Sequence, residues 1–148
     1  MGVRSGIVFL VQAVVCLFCL TDGVCRLTPQ WSEPLYSSQD TTFRQLVAPV
    51  WQRDILDGIG VHNVDAGIMK LVVGWVEVVS AVLLFSPFRR IAGVALALVL
   101  AALAYAEMRN DRPQYLQQCG LACGSVVVCA AGSGRPRPPA RKPANKQK

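Results

Sequence analysis

Four long apolar blocks dominate this chain of 148 residues, of which 53% are hydrophobic and only 16% are charged. The blocks are Gly6–Cys25, Ala66–Phe85, Phe88–Ala106 and Tyr115–Ser133. A helix rises about 1.5 Å per residue, so each block is close to the roughly 20 residues that cross a hydrocarbon core of about 30 Å. They predict an all-α fold, an antiparallel bundle of four transmembrane helices within one membrane domain, residues 1–134.

A soluble four-helix bundle is the alternative for helices of these lengths. Each helix of such a bundle needs a polar stripe that faces water. The stretches Val72–Leu84 and Ile91–Leu103 contain almost no polar side chains. This pattern favours the membrane protein.

The first block also resembles a cleaved secretory signal, because Arg4 precedes an apolar core that reaches Leu20. The residues that follow contain no Ala-x-Ala cleavage pattern, although Gly23–Cys25 is small enough to leave cleavage open. We expect the first block to be a retained helix.

The charged residues divide by side once four spans are drawn. One side holds both termini and the link with Arg89 and Arg90, and it contains no Asp or Glu; the other side, with the loop 26–65, carries every acidic residue except Glu77. Basic residues near span ends set orientation, so both termini are expected in the cytoplasm and the loop in the lumen or outside. The net charge of +6 is then a topology signal. The basic tail, residues 135–148, predicts a disordered segment near anionic lipid rather than a nucleic-acid site.

The loop 26–65 contains a helical pattern of apolar residues, Phe43, Leu46, Val47, Val50 and Trp51. Polar residues between them predict a short amphipathic helix on the membrane surface. Pro49 is expected to interrupt this helix or to start a second one.

Glu77 places a carboxyl group near the middle of the second block. Such a group costs roughly 2.5 to 3.5 kcal/mol on insertion scales, so it is expected to face other helices, hold a proton or find a partner. If the ends of the spans are level, Gln12 and Ser125 lie within about one turn of Glu77, and either can hydrogen-bond it. Lys70 is about 10 Å away along the helix, so it should extend toward the lumenal interface instead of pairing with Glu77.

Two interpretations of this polar centre stay open at this point. It is either a centre for recognition of a ligand, proton or partner, or a protonated Glu77 that locks the bundle by interhelical hydrogen bonds.

Small residues recur along the later blocks, as helix packing in lipid requires. The predicted packing positions are Gly67, Gly74 and Ala81 in the second block, Gly93, Ala97 and Ala101 in the third, and Gly120 and Gly124 in the fourth. Together they favour a compact bundle.

The six cysteines include a C-x-x-C pair, Cys16 and Cys19. Thiolates are disfavoured in apolar surroundings, and no His or carboxylate cluster completes a zinc site. We therefore predict no metal and no cofactor. Cys25 and Cys119 can form a disulfide if the first and fourth helices touch in an oxidising compartment.

Other charged residues predict only local structure. Asp22 and Arg26 have the i,i+4 spacing of an ion pair at the end of the first helix, and His62 has no visible partner. No nucleophile with a base, phosphate loop or pair of catalytic acids is present, so no enzyme is predicted.

Two short motifs resemble those of DoxX-like membrane proteins. The first block ends Gly23-Val24-Cys25-Arg26-Leu27-Thr28-Pro29, which is similar to G-x-x-K-L-x-P, and the second contains Gly74-Trp75-Val76-Glu77, which is similar to G-x-x-E. With the long first loop and the tail Arg141-Lys142-Pro143, the chain looks most like the transmembrane protein 35 branch, which includes the novel acetylcholine receptor chaperone.

The resemblance implies a four-helix fold, residence in the endoplasmic reticulum, and a role in assembling oligomeric ligand-gated channels. It implies transmembrane client proteins and membrane lipid as partners. The chain departs from the branch at Arg26, where Lys is usual, and at Ala106 and Glu107, where His and Gln are usual. The alternative that the wider family implies is a membrane component of a redox or quinone-linked system.

Overall fold

The computed structural model describes residues 3–131, with side chains from Gly6 onward. This part of the chain is all-helical and contains no strand. In chain order the α-helices are α1 (Val3–Leu27), α2 (Glu33–Thr42), α3 (Ala48–Trp51), α4 (Ala66–Leu83), α5 (Arg89–Arg109) and α6 (Tyr115–Ala131). Wider π turns, Phe43–Val47 and Gln52–Leu56, flank α3, and a 3₁₀ turn, Asp57–Ile59, follows.

Three helices are long and apolar enough to cross a membrane: Gly6–Leu27 of α1, Ala66–Leu83 and Arg89–Arg109. They indicate a multi-pass membrane protein. The fourth apolar helix, α6, is shorter, with 17 residues in the described range. The end of the fourth predicted block, residues 132–133, and the predicted tail, 135–148, lie outside the described residues.

Local chemistry sets the ends of α4 and the turns between helices. The Asp65 carboxylate caps α4 by accepting from the backbone N–H groups of Gly67, at 2.8 Å, and Ile68, at 3.1 Å. A turn at Ser86 separates α4 from α5, and Asp111, with a φ of 54°, turns the chain from α5 into α6. These short links place consecutive helices antiparallel to each other.

The four long helices pack as a ring in which α1 contacts α4 and α6, and α5 contacts the same two helices. Their shared core consists of Val15, Cys16, Cys19, Ala81, Leu84, Ala92, Leu96, Leu100 and Val128. The bundle is therefore held by aliphatic and small side chains.

The predicted amphipathic segment is helical, but its apolar face packs on the long helices and forms a second core. The prediction that this face rests on a membrane surface was wrong. Phe43 is 1% exposed, and Val47 and Val50 are buried with it against Met69 and Val73 of α4 and Leu103 and Ala106 of α5. The Trp51 indole N–H donates to the Ala102 carbonyl of α5 at 2.8 Å. The apolar residues of α4 and α5 at the loop end of the bundle exclude water from the apolar face of this segment more completely than a hydrated membrane interface does.

Pro49 lies within α3, between the two π turns. Proline has no N–H to offer to the preceding turn of a helix. Wider turns on both sides of Pro49 are consistent with this loss and keep the segment helical from α2 to Leu56.

Candidate functional site

The first element of the candidate site is a close crossing of α1 and α4 at two glycines. A Cβ on Gly23 would lie 3.0 Å from the Gly74 carbonyl oxygen and 3.1 Å from the Glu77 Cβ, and a Cβ on Gly74 would lie 3.2 Å from the Arg26 Cβ. A side chain at either position would require the facing atoms to move by a few tenths of an ångström or more. The two glycines therefore bring the residues one turn beyond them, Arg26 and Glu77, face to face.

An ion-pair chain follows from this crossing. Arg26 Nη2 donates to Asp22 Oδ2 at 2.7 Å within α1, and Arg26 Nε lies 3.3 Å from Glu77 Oε2 of α4. Glu77 is 0% exposed and Arg26 is 8% exposed. The Arg26–Glu77 contact is an ion pair without a hydrogen bond, since neither Glu77 oxygen has a donor partner in the described part of the chain. We call Asp22, Arg26 and Glu77 the polar centre.

The segment that begins with α2 covers the polar centre from the loop side. The Gln39 amide donates to Asp22 Oδ1. The Phe43 ring lies 6.0 Å from the guanidinium carbon of Arg26, at the outer limit of a cation–π contact. One turn of helix thus supplies both a hydrogen bond and an apolar cover.

Among the described residues, buried acceptors without a partner occur at Glu77 of the polar centre and in three further side chains. Four side chains carry buried oxygens with no hydrogen-bond partner in residues 6–131: Gln39, Glu77, Glu107 and Gln118. Glu107 also interacts electrostatically with Arg26. Native proteins leave few such groups, and each one calls for a water, a proton or another donor. The arrangement has the chemistry to hold donors, and it contains no nucleophile paired with a base.

A second ion pair ties α2 to the start of α4. Lys70 Nζ donates to Asp40 Oδ1 at 2.7 Å and lies 3.8 Å from the centre of the Tyr36 ring. Lys70 reaches toward the loop side of the bundle and does not pair with Glu77, which agrees with the predicted direction, but α2 covers it there and leaves it 4% exposed. That this side is lumenal stays a prediction. The hydrogen bond from Lys70, with a second one from Arg44, lowers the pKa of Asp40 below its ordinary value.

The predicted hydrogen-bond partners of Glu77 bind elsewhere. The Gln12 amide donates to the Leu84 carbonyl at 2.7 Å, and the Ser125 hydroxyl donates to the Leu121 carbonyl at 2.9 Å. Both side chains are buried, yet neither hydrogen-bonds Glu77. The prediction failed because the spans are staggered: Gly23, near the end of α1, lies beside Gly74 and Glu77.

The predicted packing positions fall into two groups. Besides Gly74, Gly124 packs closely, because its Cβ would lie 2.9 Å from Val15 of α1, and Ala81 is 0% exposed in the core. Gly120 has open space around it, and Gly67 faces Asp65 and Arg44 at the cap of α4 instead of another long helix.

The cysteines differ in burial. All six are free; Cys16, Cys19 and Cys25 are buried, Cys129 is half-buried, and Cys119 and Cys123 are exposed. The Cys16 thiol donates to the Ala81 carbonyl of α4 at 3.4 Å. The disulfide considered for Cys25 and Cys119 is not formed. The redox alternative stays a prediction.

The sequence predicted an ion pair between Asp22 and Arg26 and no partner for His62. Asp22 and Arg26 form the local ion pair that their spacing indicates. His62, for which no partner was visible, lies with Nδ1 2.9 Å from Asp57 Oδ1. This contact lowers the pKa of Asp57.

An open apolar groove runs along the outside of the bundle between α5 and α6. Its volume is about 630 Å³. Small residues line much of it, including Gly93, Ala97, Ala101, Ala122 and Cys123. Gly93 itself packs against Ser125 and Cys129 of α6. The predicted stripe of the third block thus faces α6 at one end and the outside along the rest.

Comparison of the chain with protein-family models and with curated proteins finds no match.

Proposed function

We propose that this protein is a membrane-embedded assembly factor for oligomeric receptors and that its α5–α6 groove is where a client helix docks. In lipid, helices associate through close contact of small residues, since burial of apolar surface from water contributes nothing there. The groove offers Gly93, Ala97 and Ala101 to such a contact. This open groove of small residues is the observation that carries the proposal.

The proposal includes four membrane spans, with both termini in the cytoplasm and the protein in the endoplasmic reticulum. The charge distribution supports this orientation, and the resemblance to the transmembrane protein 35 branch suggests the compartment. That resemblance also suggests ligand-gated channels, such as nicotinic acetylcholine receptors, as the client class. In this proposal the protein binds its client non-covalently and catalyses no reaction.

Glu77 has a different role in this proposal from the one that the sequence suggested. A buried Glu77 beside Arg26 cannot meet a client unless the bundle opens. The polar centre instead fixes α1 against α4, which keeps the opposite face, α5 and α6, in one arrangement.

The test is co-expression with a pentameric acetylcholine receptor and measurement of receptor at the cell surface. Ala101→Leu fills the groove, and Gly120→Leu is the control, since Gly120 lies on α6 in open space away from the groove lining. Ala101→Leu should lower the gain produced by the wild type about twofold or more, by blocking close approach of a client helix. Gly120→Leu should retain the full gain.

Both variants must be compared at equal amounts of membrane-inserted protein. Equal gains from Ala101→Leu and the wild type would remove the groove from the mechanism. The absence of any gain with the wild type would overturn the assembly role for this receptor class.

A further inference from the structure

A polar cleft lies at the loop end of the bundle, between the α2 segment and the link that joins α5 to α6. Its volume is about 330 Å³, within the range of roughly 300 to 1,000 Å³ common for small-ligand sites. Its lining consists of Ser37, Ser38, Thr41, Thr42, Gln45, Leu46 and Arg112. The cleft is separate from both the polar centre and the α5–α6 groove.

The hydroxyl residues share one face of the helical segment. Positions 37, 38, 41, 42 and 45 follow helical spacing, whereas Gln39, Asp40 and Phe43 lie on the opposite face and hold the bundle. The face with the hydroxyl residues takes no part in the ion pair, the amide hydrogen bond or the apolar packing that hold α2 against the bundle. Its described side-chain contact with another element is a long hydrogen bond that Thr42 accepts from Arg112.

The charge of the cleft comes from one arginine. Arg112 is the only charged residue in the lining. Among residues 6–131 no carboxylate lies within ion-pair distance of it, although the Glu107 carboxylate of α5 interacts with it electrostatically over a longer distance. The Arg112 Nη1 atom makes two long hydrogen bonds, 3.5 Å to the Thr42 hydroxyl and 3.4 Å to the Gln114 side chain. Nε and Nη2 donate to no described residue, so one edge of the guanidinium keeps both of its parallel donors.

Two parallel N–H groups on one guanidinium edge match two oxygens of a phosphate. Ser38 and Gln45 add a hydroxyl and an amide to the same cleft. Thr42 accepts from Arg112, which leaves its own O–H group to donate. The lining contains no carboxylate that would repel an anion.

We propose that this cleft binds a phosphate group, with Arg112 as the bidentate donor and the Ser38 and Thr42 hydroxyls as secondary donors. The other two hydroxyls already donate to backbone carbonyls within the helix, Ser37 to Pro34 and Thr41 to Ser37. A phosphate group exists in the headgroup of a phospholipid and in free phosphate compounds. The position of the cleft, where the chain leaves the long helices, suits either source.

The experiment uses the full-length protein purified in a maltoside detergent, which carries no phosphate. Two probes are titrated separately, inorganic phosphate and dihexanoyl phosphatidic acid, with sodium chloride at matched ionic strength as the salt control. Thermal unfolding reports binding, because a ligand of the folded state raises the unfolding temperature in a saturable way. Binding of the lipid alone identifies a headgroup site, and binding of both probes identifies a general phosphate site.

Arg112→Gln should weaken the dissociation constant for the binding probe about tenfold. The dissociation constant of Arg112→Lys should lie between those of the wild type and Arg112→Gln, because lysine keeps the positive charge but lacks the two parallel N–H donors. Ser38→Ala changes the opposite wall and should weaken binding by a smaller factor. Arg109→Gln is the matched control: it removes the same charge one turn earlier, from a residue that pairs with Asp54 and lies outside the cleft.

An Arg109→Gln loss as large as that of Arg112→Gln would overturn the site, because it would reveal general charge attraction. So would stabilisation by chloride equal to that by either probe, or no saturable shift with both. If Arg112→Gln does not fold, Ser38→Ala decides, and unchanged affinity in that variant contradicts the cleft.

Discussion

The polar centre and the α5–α6 groove both contain small residues on long helices, but the first is a filled helix–helix contact and the second is open to the outside. At the polar centre, Gly23 and Gly74 let two helices approach until a charged pair is sealed between them. At the groove, Ala97 and Ala101 leave a volume of about 630 Å³ open to the outside. Glycine and alanine therefore do not by themselves predict where a partner binds. The contact that is already filled holds the fold, and the contact that is still open is available to another helix.

The largest expected effect is at Glu77. Glu77→Leu leaves the Arg26 charge in the interior with Asp22 as its remaining ion-pair partner and Glu107 at a longer distance. Removing one partner of a buried ion pair typically destabilises by about 3 to 5 kcal/mol. Denaturant unfolding of the purified protein measures this change. Glu77→Gln keeps the volume and a hydrogen-bonding group, so it should cost less than Glu77→Leu; equal stability of the wild type and Glu77→Leu would show that the pair carries no weight.

The next effect is at the crossing itself. Gly23→Ala places a methyl group 3.0 Å from the Gly74 carbonyl oxygen, which belongs to the backbone and cannot rotate away. Overpacking of this kind costs about 1 to 3 kcal/mol. Gly120→Ala, in open space, is the matched control and should be neutral or stabilising by up to about 1 kcal/mol. Thermal unfolding of both variants separates close packing from helix propensity, and a stabilising Gly23→Ala would contradict the crossing.

The sequence predicted the all-helical class and the approximate bounds of the helices, because apolar length carries that information directly. It also indicated Glu77 and Gly74. It did not predict the Arg26–Glu77 pair. Residue depths in the membrane were counted from span ends assumed to be level, and this count placed Arg26 at the end of the first helix, far from Glu77. A signal was present in the two motifs, where oppositely charged residues each follow a glycine by three positions, Gly23 to Arg26 and Gly74 to Glu77.

The loop could not be placed from its pattern alone. Amphipathic spacing in the segment around Phe43 is satisfied equally by a membrane surface and by a protein surface. What decides between them is the apolar surface at the ends of α4 and α5, which is a tertiary property. The covered position of Lys70 follows from the same packing, because α2 brings Asp40 and Tyr36 over it.

A smaller effect is expected from pH at the contact between α2 and α4. The hydrogen bond from Lys70 lowers the pKa of Asp40, so the folded state favours the ionised carboxyl. The resulting stability is fully present above the ordinary Asp pKa of about 3.9 and is lost as the pH falls through the lower folded-state value. Asp40→Asn should remove this part of the acid-side decline in the unfolding temperature. Asp111→Asn, at an exposed position with no ion pair in the described part of the chain, should keep it.

The smallest effect on stability is expected in the groove. Ala101→Leu adds side chain to an exposed surface of α5 and should change the free energy of unfolding by less than about 0.5 kcal/mol. The same unfolding assay measures it. A loss comparable to that of Gly23→Ala would mean that the groove is part of the packed fold, and its assignment as a docking surface would fail.

A double-mutant cycle between Arg26 and Glu77 tests the central claim most directly. Arg26→Met and Glu77→Leu are measured singly and together by denaturant unfolding. If the two side chains form one buried pair, the double variant should be more stable than the sum of the single losses allows, by about 2 kcal/mol or more. Additive losses, within about 0.5 kcal/mol, would contradict a polar centre formed where α1 crosses α4.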